Sequence, residues 1–397
     1  LRCLVGSEMC IRDSYRKPTV IKFFLYLILL LVLPDFLIWL NYTRVSQGIW
    51  RTALLLFPSI LTLGCMVLQL CQVRVVWLMQ FTFLLFICIA VPKVVFIVVA
   101  LLGKLLANHQ PEVQQIFVRV GLGLAFLMFV IQTYGAVFGW RKLQVERPAL
   151  QVSGVPPSFK GYRIVQISDL HLGTYGTDTR FVKRLVDSVN ACRPDLIVFT
   201  GDLINTSPDE IRPFIRTLHG LKATDGVYSI LGNHDYCVYG NQDSPATRAA
   251  QVKRVVKSQK LMNWRLLLNE HVAITRGADT LYLAGVENIG KPPFPKVGSL
   301  SRALQGIPQG AFTVLLSHDP WHWRHGVVGE SPVSLTLSGH THALQMQVGS
   351  FSPAKWLTPE WGGVYQHGRQ LLYVSTGVGG SIPYRLGAWP QVDLIEL

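Results

Sequence analysis

Five short groups of polar residues in the second half of the chain carry side chains that hold divalent metals: Asp169-Leu170-His171, Gly201-Asp202, Gly232-Asn233-His234-Asp235, His318 and Gly339-His340-Thr341-His342. A carboxylate can bridge two cations through its two oxygens, and imidazoles complete shells suited to Mn, Fe or Zn rather than Ca. Two ions about 3.5–4 Å apart clamp the attacking and leaving oxygens of an in-line displacement and lower the pKa of a bound water. The resulting hydroxide attacks phosphorus, so the chemistry on offer is phosphoester or pyrophosphate hydrolysis. Each group alone is weak evidence. A lone His at a strand end is usually a satisfied surface or core histidine, and Gly232-Asn233 alone reads as a turn. Five groups in order are a far stronger signal than any one of them.

The elements that must position these residues are legible beside them. Each group follows a short apolar run, at 164–167, 196–199, 227–231, 314–316 and 335–337. Such runs read as buried strands. In α/β folds, ligands bind in the crevice beyond the carboxyl ends of the strands, which is where the polar groups fall.

At these residues the sequence resembles the calcineurin-like metallophosphoesterase family, over roughly 159–397. The resemblance implies an α/β fold, a four-layer αββα sandwich with two metal ions held on loops between strands. It assigns one ion to Asp169, His171, Asp202 and His342, and the other to Asp202, Asn233, His318 and His340, with Asp202 bridging. His234 is then the expected general acid for the leaving oxygen, with Asp235 fixing its tautomer and orientation. Two departures from the family pattern matter. A second acid that often follows Gly-Asp is replaced by Asn205, which the metals should survive. The Asp-Arg-Gly and post-His Glu of the Ser/Thr protein phosphatase branch are absent.

The first half is a different kind of polymer. Half of the 397 residues are hydrophobic, but charge is uneven. Residues 1–149 hold 14 Lys and Arg against 5 Asp and Glu; subtracting from the totals of 37 and 23 leaves 23 against 18 for residues 150–397. Four apolar stretches, about 20–40, 49–70, 75–102 and 113–139, reach the length of about 20 residues that spans a bilayer. Buried helices of a soluble protein rarely lack a polar face four times running. An all-α transmembrane bundle over 15–142 is therefore expected. Lys93, beside Pro92, must face the bundle interior or snorkel to the interface. With the N-terminus inside, Arg16, Lys17, Lys22, Arg74, Arg141, Lys142 and Arg147 flank the inner ends, against Arg44, Arg51, Lys104 and Arg119 outside. That balance favours a cytoplasmic catalytic domain, most simply at a bacterial inner membrane. It also accounts for most of the net charge of +14, and no nucleic-acid motif stands out.

Residues 1–14 read as a translated sequencing-library adapter, most plainly at Met9-Cys10-Ile11-Arg12-Asp13-Ser14, and are set apart from fold reasoning. The five remaining cysteines have no paired spacing, which suits a reducing compartment. Residues 143–160 read as a stiff linker marked by Gly154, Pro156 and Pro157, leaving 161–397 as the phosphoesterase domain. Within it, 241–264 is insertion-like, with Lys253, Arg254, Lys257 and Lys260 on one helical face. Such a helix either lies on anionic lipid or simply packs on its own domain with a solvated face. Gly377-Val378-Gly379-Gly380 lacks the helix and Lys of a phosphate-binding loop. Arg385, just beyond it, either contacts substrate phosphate as a bidentate donor or merely pairs with a surface acid.

The leading expectation is a membrane-anchored hydrolase dependent on two divalent metals (Mn, Fe or Zn) and acting on a phosphorylated, lipid-linked substrate. The alternative is a membrane sensor or transporter whose domain only binds a phosphorylated ligand. The motifs serve monoesters, diesters and pyrophosphates alike, and specificity lies in loops that the motifs do not constrain.

Overall fold

Apolar runs of spanning length fold as helices along most of the first half. The computed structural model describes residues 25–43, 49–71, 76–107, 110–240, 244–291 and 294–397. The adapter-like start, Arg16, Lys17, Lys22, Arg44 and Arg74 lie outside the described residues. The chain divides into two units, Leu1–Tyr134 and Gly135–Leu397.

Among the described residues, four helices are long and apolar enough to cross a membrane: α1 (Leu25–Tyr42), α2 (Ile49–Leu70), α3 (Val76–Leu106) and α4 (Pro111–Val137). Their outward faces are crowded with exposed Leu, Phe, Ile and Trp, the surface that lipid requires and water penalises. Helix α3 widens to a π turn over Phe86–Ala90, just before Val91-Pro92. Pro92 has no N–H to donate to the preceding turn, and a local widening is how a long helix absorbs that loss. Next to Pro92, Lys93 faces inward. Its Nζ donates to Asp35 Oδ1 at 2.6 Å, to the Leu55 carbonyl at 2.8 Å and to Ser59 Oγ at 3.1 Å.

The second unit is built on two six-stranded mixed sheets. One runs in the order β1-β12-β2-β3-β4-β5 and the other β10-β11-β9-β8-β7-β6. The first comprises β1 (Gln144–Glu146), β2 (Arg163–Ile167), β3 (Leu196–Phe199), β4 (Val227–Ser229), β5 (Arg265–Leu266) and β12 (Gln391–Glu396). The second comprises β6 (Glu270–Arg276), β7 (Asp279–Gly285), β8 (Thr313–Leu316), β9 (Leu335–Ser338), β10 (Gly363–His367) and β11 (Gln370–Val374). Alternation along each strand decides which layer a side chain enters. Ile164, Leu196 and Val198 join Leu281, Leu283, Val314 and Leu337 in the core between the sheets. Val165, Ile167, Ile197 and Phe199 face the other way, onto Phe181, Val182, Leu185 and Val189 of α5 (Arg180–Ala191). Ala284, Leu315 and Leu372 form a third core with Trp323 and Val327. Sheet on sheet, with helical segments on both outer faces, is the αββα arrangement expected.

The five apolar runs fall on strands β2, β3, β4, β8 and β9, the 227–231 run continuing two residues past β4, and β2–β3–β4 and β8–β9 pair in parallel. Parallel strands end on the same side, so the polar groups that follow them emerge together. The expected linker is corrected. Within 143–160, β1 pairs with β12, Leu143 and Val145 pack on the core, and Phe159 is fully buried. Three apolar side chains with polar neighbours had read as spacer because three-residue edge strands carry little periodicity.

Candidate metal centre

The loops after β2, β3, β4, β8 and β9 turn sharply to aim their side chains into one place. Asp169, His171, Asp202, His340 and His342 all have left-handed backbone, with φ of 56°, 47°, 60°, 75° and 50°. Each such residue costs on the order of 1–3 kcal/mol, and persists where the surroundings over-determine it. Glycines permit the crowding. A Cβ on Gly232 would meet Asp202 Oδ1 at 2.2 Å, and one on Gly379 would meet the Leu170 carbonyl at 2.1 Å.

Two groups of side chains result, sharing one carboxylate. Asp169, His171, Asp202 and His342 converge, and Asp202, His318 and His340 converge beside them; within each group the candidate donor atoms lie within 4.8 Å of one another. Asp202 Oδ2 is 3.2 Å from His318 Nε2 and 3.6 Å from His171 Nε2. Its Oδ1 accepts the His234 backbone N–H at 2.8 Å. Both oxygens of Asp169 accept the His340 N–H at 3.1 Å, and Oδ1 is 3.6 Å from His342 Nε2. The Asn233 amide donates to the Tyr239 hydroxyl at 2.9 Å, which turns its Oδ1 inward, 3.1 Å from His318 Nε2. His318 is fixed from behind by Nδ1, which donates to the Thr200 carbonyl at 2.8 Å.

This donor set fits a cation. His171 Nε2 and His342 Nε2 lie 3.2 Å apart, and the Nδ1 atoms of both rings are buried without a hydrogen-bond partner. Burial holds His171 down to about 3 and His342 well below its ordinary value, so both rings offer lone pairs. Burial raises Asp169 to about 6. Burial also opposes charge on Asp202 and His318, but their mutual attraction prevails: the imidazoles hold Asp202 well below its usual range, and Asp202 lifts His318 to about 10. Without a metal, His318 alone carries positive charge among these rings, while burial keeps His171 and His342 neutral beside buried carboxylates, so the group of Asp169, His171, Asp202 and His342 calls for positive charge at its centre.

The remaining expected residues divide. His234 lines a cleft of about 470 Å³ together with Asp202, Asn233, Lys291, Trp321 and His340. Its Nδ1 donates to the Asn205 carbonyl at 2.6 Å, leaving Nε2 available, and Tyr239 lies against the ring, centroids 4.2 Å apart. The orienting role assigned to Asp235 is corrected. That carboxylate is buried and accepts the backbone N–H groups of Asp202, Leu203 and Gly232, each at 2.9 Å, so it holds the loop rather than the ring. Burial, then the nearby Asp202, push it up to about 7 against those donors. Arg385 as a substrate contact is also corrected. It is 1% exposed and donates to the carbonyls of Thr376, Gly379 and Ala388. It thereby clamps the glycine turn, whose Val378 and Gly379 N–H groups bond the Ser168 and Asp169 carbonyls at 2.9 and 2.7 Å.

Sequence reasoning missed Tyr239, the Asn205 carbonyl and Asp319. Asp319 carries Oδ2 3.7 Å from His340 Nε2 and accepts the Lys291 N–H at 3.0 Å. Its position next to His318 was the one available signal. A backbone carbonyl has no sequence signature. Cys237 is a buried filler in the core, its thiol pushed up to about 12 by burial.

Comparisons with known proteins agree with this geometry. Residues 162–344 match the family model described as calcineurin-like phosphoesterase. The chain is similar to the uncharacterized metallophosphoesterase YkuE of Bacillus subtilis, 30% identical over 282 residues, which cover 67% of this chain and 91% of that protein. It is similar to a transmembrane protein with metallophosphoesterase domain of Danio rerio, 28% identical over 408 residues, covering 95% of this chain and 89% of the relative. It is also similar to the UDP-2,3-diacylglucosamine pyrophosphatase LpxG of Chlamydia trachomatis, at 27% identity, covering 59% of this chain and 83% of the relative.

Proposed function

We propose that this chain, which belongs to the calcineurin-like metallophosphoesterase family, is a membrane-anchored hydrolase that uses two divalent metal ions to cleave the phosphoester or pyrophosphate bond of a lipid or lipid-linked substrate. The observation that carries the reading is the sharing of Asp202 between two His/Asp groups. In this reading Asp169, His171, Asp202 and His342 hold one ion, and Asp202, Asn233, His318 and His340 the other. Mixed carboxylate and imidazole donors suit Mn, Fe or Zn. Bound there, the ions supply Lewis-acid polarisation of the phosphoryl group and activation of water.

The chain's own residues do the rest. His234 faces the cleft with Nδ1 bonded to a carbonyl, so the proton it gives to the leaving oxygen comes from Nε2. Asp235 keeps the 202–204 backbone in place, and with it the bridging carboxylate. The lipid part of the reading is supported by the four apolar helices and by the lipid precursor named for the Chlamydia relative. The balance of basic flanks supports a cytoplasmic catalytic domain at a bacterial inner membrane. A sensor that only binds its ligand is disfavoured, since no metal-binding side chain is missing and His234 is presented to the cleft.

The test uses the full chain in detergent, with metal content measured beside turnover of a monoester, a diester and a pyrophosphate. Asp202→Ala should lose both ions and all turnover. Retention of both ions with near-full activity would show the assignment to be wrong.

A further inference from the structure

The loop that delivers His340 and His342 to the cleft, residues 339–362 between β9 and β10, has a second face. Eight large apolar side chains after Gly139 are exposed among the described residues, and five of them sit in this loop: Leu344, Val348, Phe351, Trp356 and Leu357. Val348 and Trp356 are 74% and 77% exposed. This is not a frayed segment. Ser352 is fully buried and its hydroxyl donates to the Ala343 carbonyl at 2.6 Å. Gln345 Nε2 donates to the Tyr384 carbonyl at 2.6 Å, and Val348 and Phe351 form an antiparallel bridge. Phe351 and Trp356 meet edge to face, ring centroids 5.5 Å apart. The backbone is thus held while its apolar side chains are presented to the outside, an arrangement that marks an interaction surface.

Charge on the loop narrows the occupant. Between His340 and Pro359 there is no acid, and Lys355 is exposed. The next acid, Glu360, is buried and paired with Arg324. Exposed Trp and Leu beside lysine, without carboxylates, suit the headgroup boundary of an anionic bilayer, where an aromatic ring sits with one edge apolar and the other wet. The same chain carries four helices of spanning length. Two residues of the patch, Leu344 and Leu357, also line the cleft, so the surface and the site are continuous.

We infer that this loop docks on a lipid surface, so that the cleft opens toward headgroups and the substrate is a membrane-resident phosphorylated amphiphile rather than a soluble ester. The inference rests on the hydrolytic reading above for its substrate half, but its docking half can be measured without turnover.

The experiment reconstitutes the full chain in vesicles of phosphatidylethanolamine and phosphatidylglycerol. A fluorescent amino acid is placed singly at 348 or 356, and at Leu261 or Val297 as exposed apolar controls distant in sequence. Lipids carrying a doxyl quencher in the upper acyl chain should quench 348 and 356 clearly more than both controls. The Val348→Ser/Trp356→Ser double variant, which alters neither a cleft-lining nor a metal-facing residue, should lower the ratio of turnover on a vesicle-borne phosphoester to turnover on a soluble aryl phosphate by at least about tenfold, because the cleft is no longer held against the headgroups and the effective concentration of membrane-borne substrate at it falls. Quenching no greater than at the controls overturns the inference. In that case, a ratio that still falls would point to the substrate's own chain, or a protein, as the occupant. Quenching with an unchanged ratio overturns the substrate half. Selective quenching in a protein inactive on every substrate would sink the hydrolytic reading and leave the docking surface standing.

Discussion

At the scale of single residues, the centre is organised by pairs in which one group acts and another holds it. His234 and Asp235 are adjacent in sequence but do separate jobs. His234→Gln should keep both metals and slow hydrolysis by about 10²–10⁴, the usual worth of general acid catalysis. The loss should shrink for leaving groups that need no proton. Asp235→Asn should behave differently, because it places an amide against backbone N–H donors of Gly232, Asp202 and Leu203. Leaving such groups unpaired costs about 1–3 kcal/mol each. Metal affinity should therefore fall, with an equal loss on good and poor leaving groups. Metal titration, and rates plotted against leaving-group pKa, separate the two; a leaving-group-dependent loss for Asp235→Asn would restore its role as the orienter of His234. The side chains of the centre were legible because acids and imidazoles at strand ends are rare in combination. What holds them was not. The Asn205 carbonyl is available to any residue type, and the buried clamp formed by Arg385 has the same sequence appearance as a phosphate contact.

At the scale of elements, two buried acids show opposite solutions to the same problem. Asp35, in α1, is 2% exposed and meets the Lys93 ammonium of α3 at 2.6 Å. Removing one partner from a buried pair costs about 3–5 kcal/mol, whereas replacing both is often neutral. Lys93→Met should lower the thermal midpoint of the detergent-solubilised chain, and Asp35→Asn/Lys93→Met should recover much of the loss; a double variant as unstable as the single one would deny the pairing. Hydropathy revealed the spans but not this pair, because a contact between residues 35 and 93 leaves no trace in a sliding window. Asp393, in β12, meets no cation among the described residues. It accepts the Tyr373 hydroxyl from β11 and the Gln391 amide, both at 2.7 Å, joining the two sheets. Burial raises it to about 6, above an unfolded value of about 3.9. The folded state therefore binds the extra proton between roughly pH 4 and 6, and stability gains as pH falls through that window. Above it the buried charge is a standing cost, up to roughly 3 kcal/mol by the size of the shift. Asp393→Asn keeps the accepting oxygen without the charge. Its midpoint should exceed that of the parent at pH 8, and the gain should shrink by pH 5. A gain equal at both values would mean that charge is not the cause.

At the scale of the whole molecule, the question is where the catalytic unit begins. A membrane-spanning half is obvious from composition, and the phosphoesterase half from its motifs, but the boundary between them was drawn too late by the sequence alone. Glycine and prolines at 154–157 read as a stiff linker, yet the chain before them is already part of the sandwich. Trp140 stacks on Tyr175, ring centroids 5.8 Å apart, and packs on the core with Leu143 and Val145. Gln144, Val145 and Glu146 form β1, which covers the edge of β12; an uncovered strand edge is a template for association with other chains. Cutting at Val155 removes all of this at once. Losing two or three partly buried apolar side chains of this size costs roughly 2–5 kcal/mol, a large share of what a domain has to spare. A chain starting at Gly135, where the second unit begins, should retain these contacts. The 135–397 protein should therefore melt cooperatively and stay monomeric, while 155–397 should melt several degrees lower and associate. Calorimetry with light scattering on the two proteins decides it: equal midpoints and equal solubility would return residues 143–154 to the status of a tether.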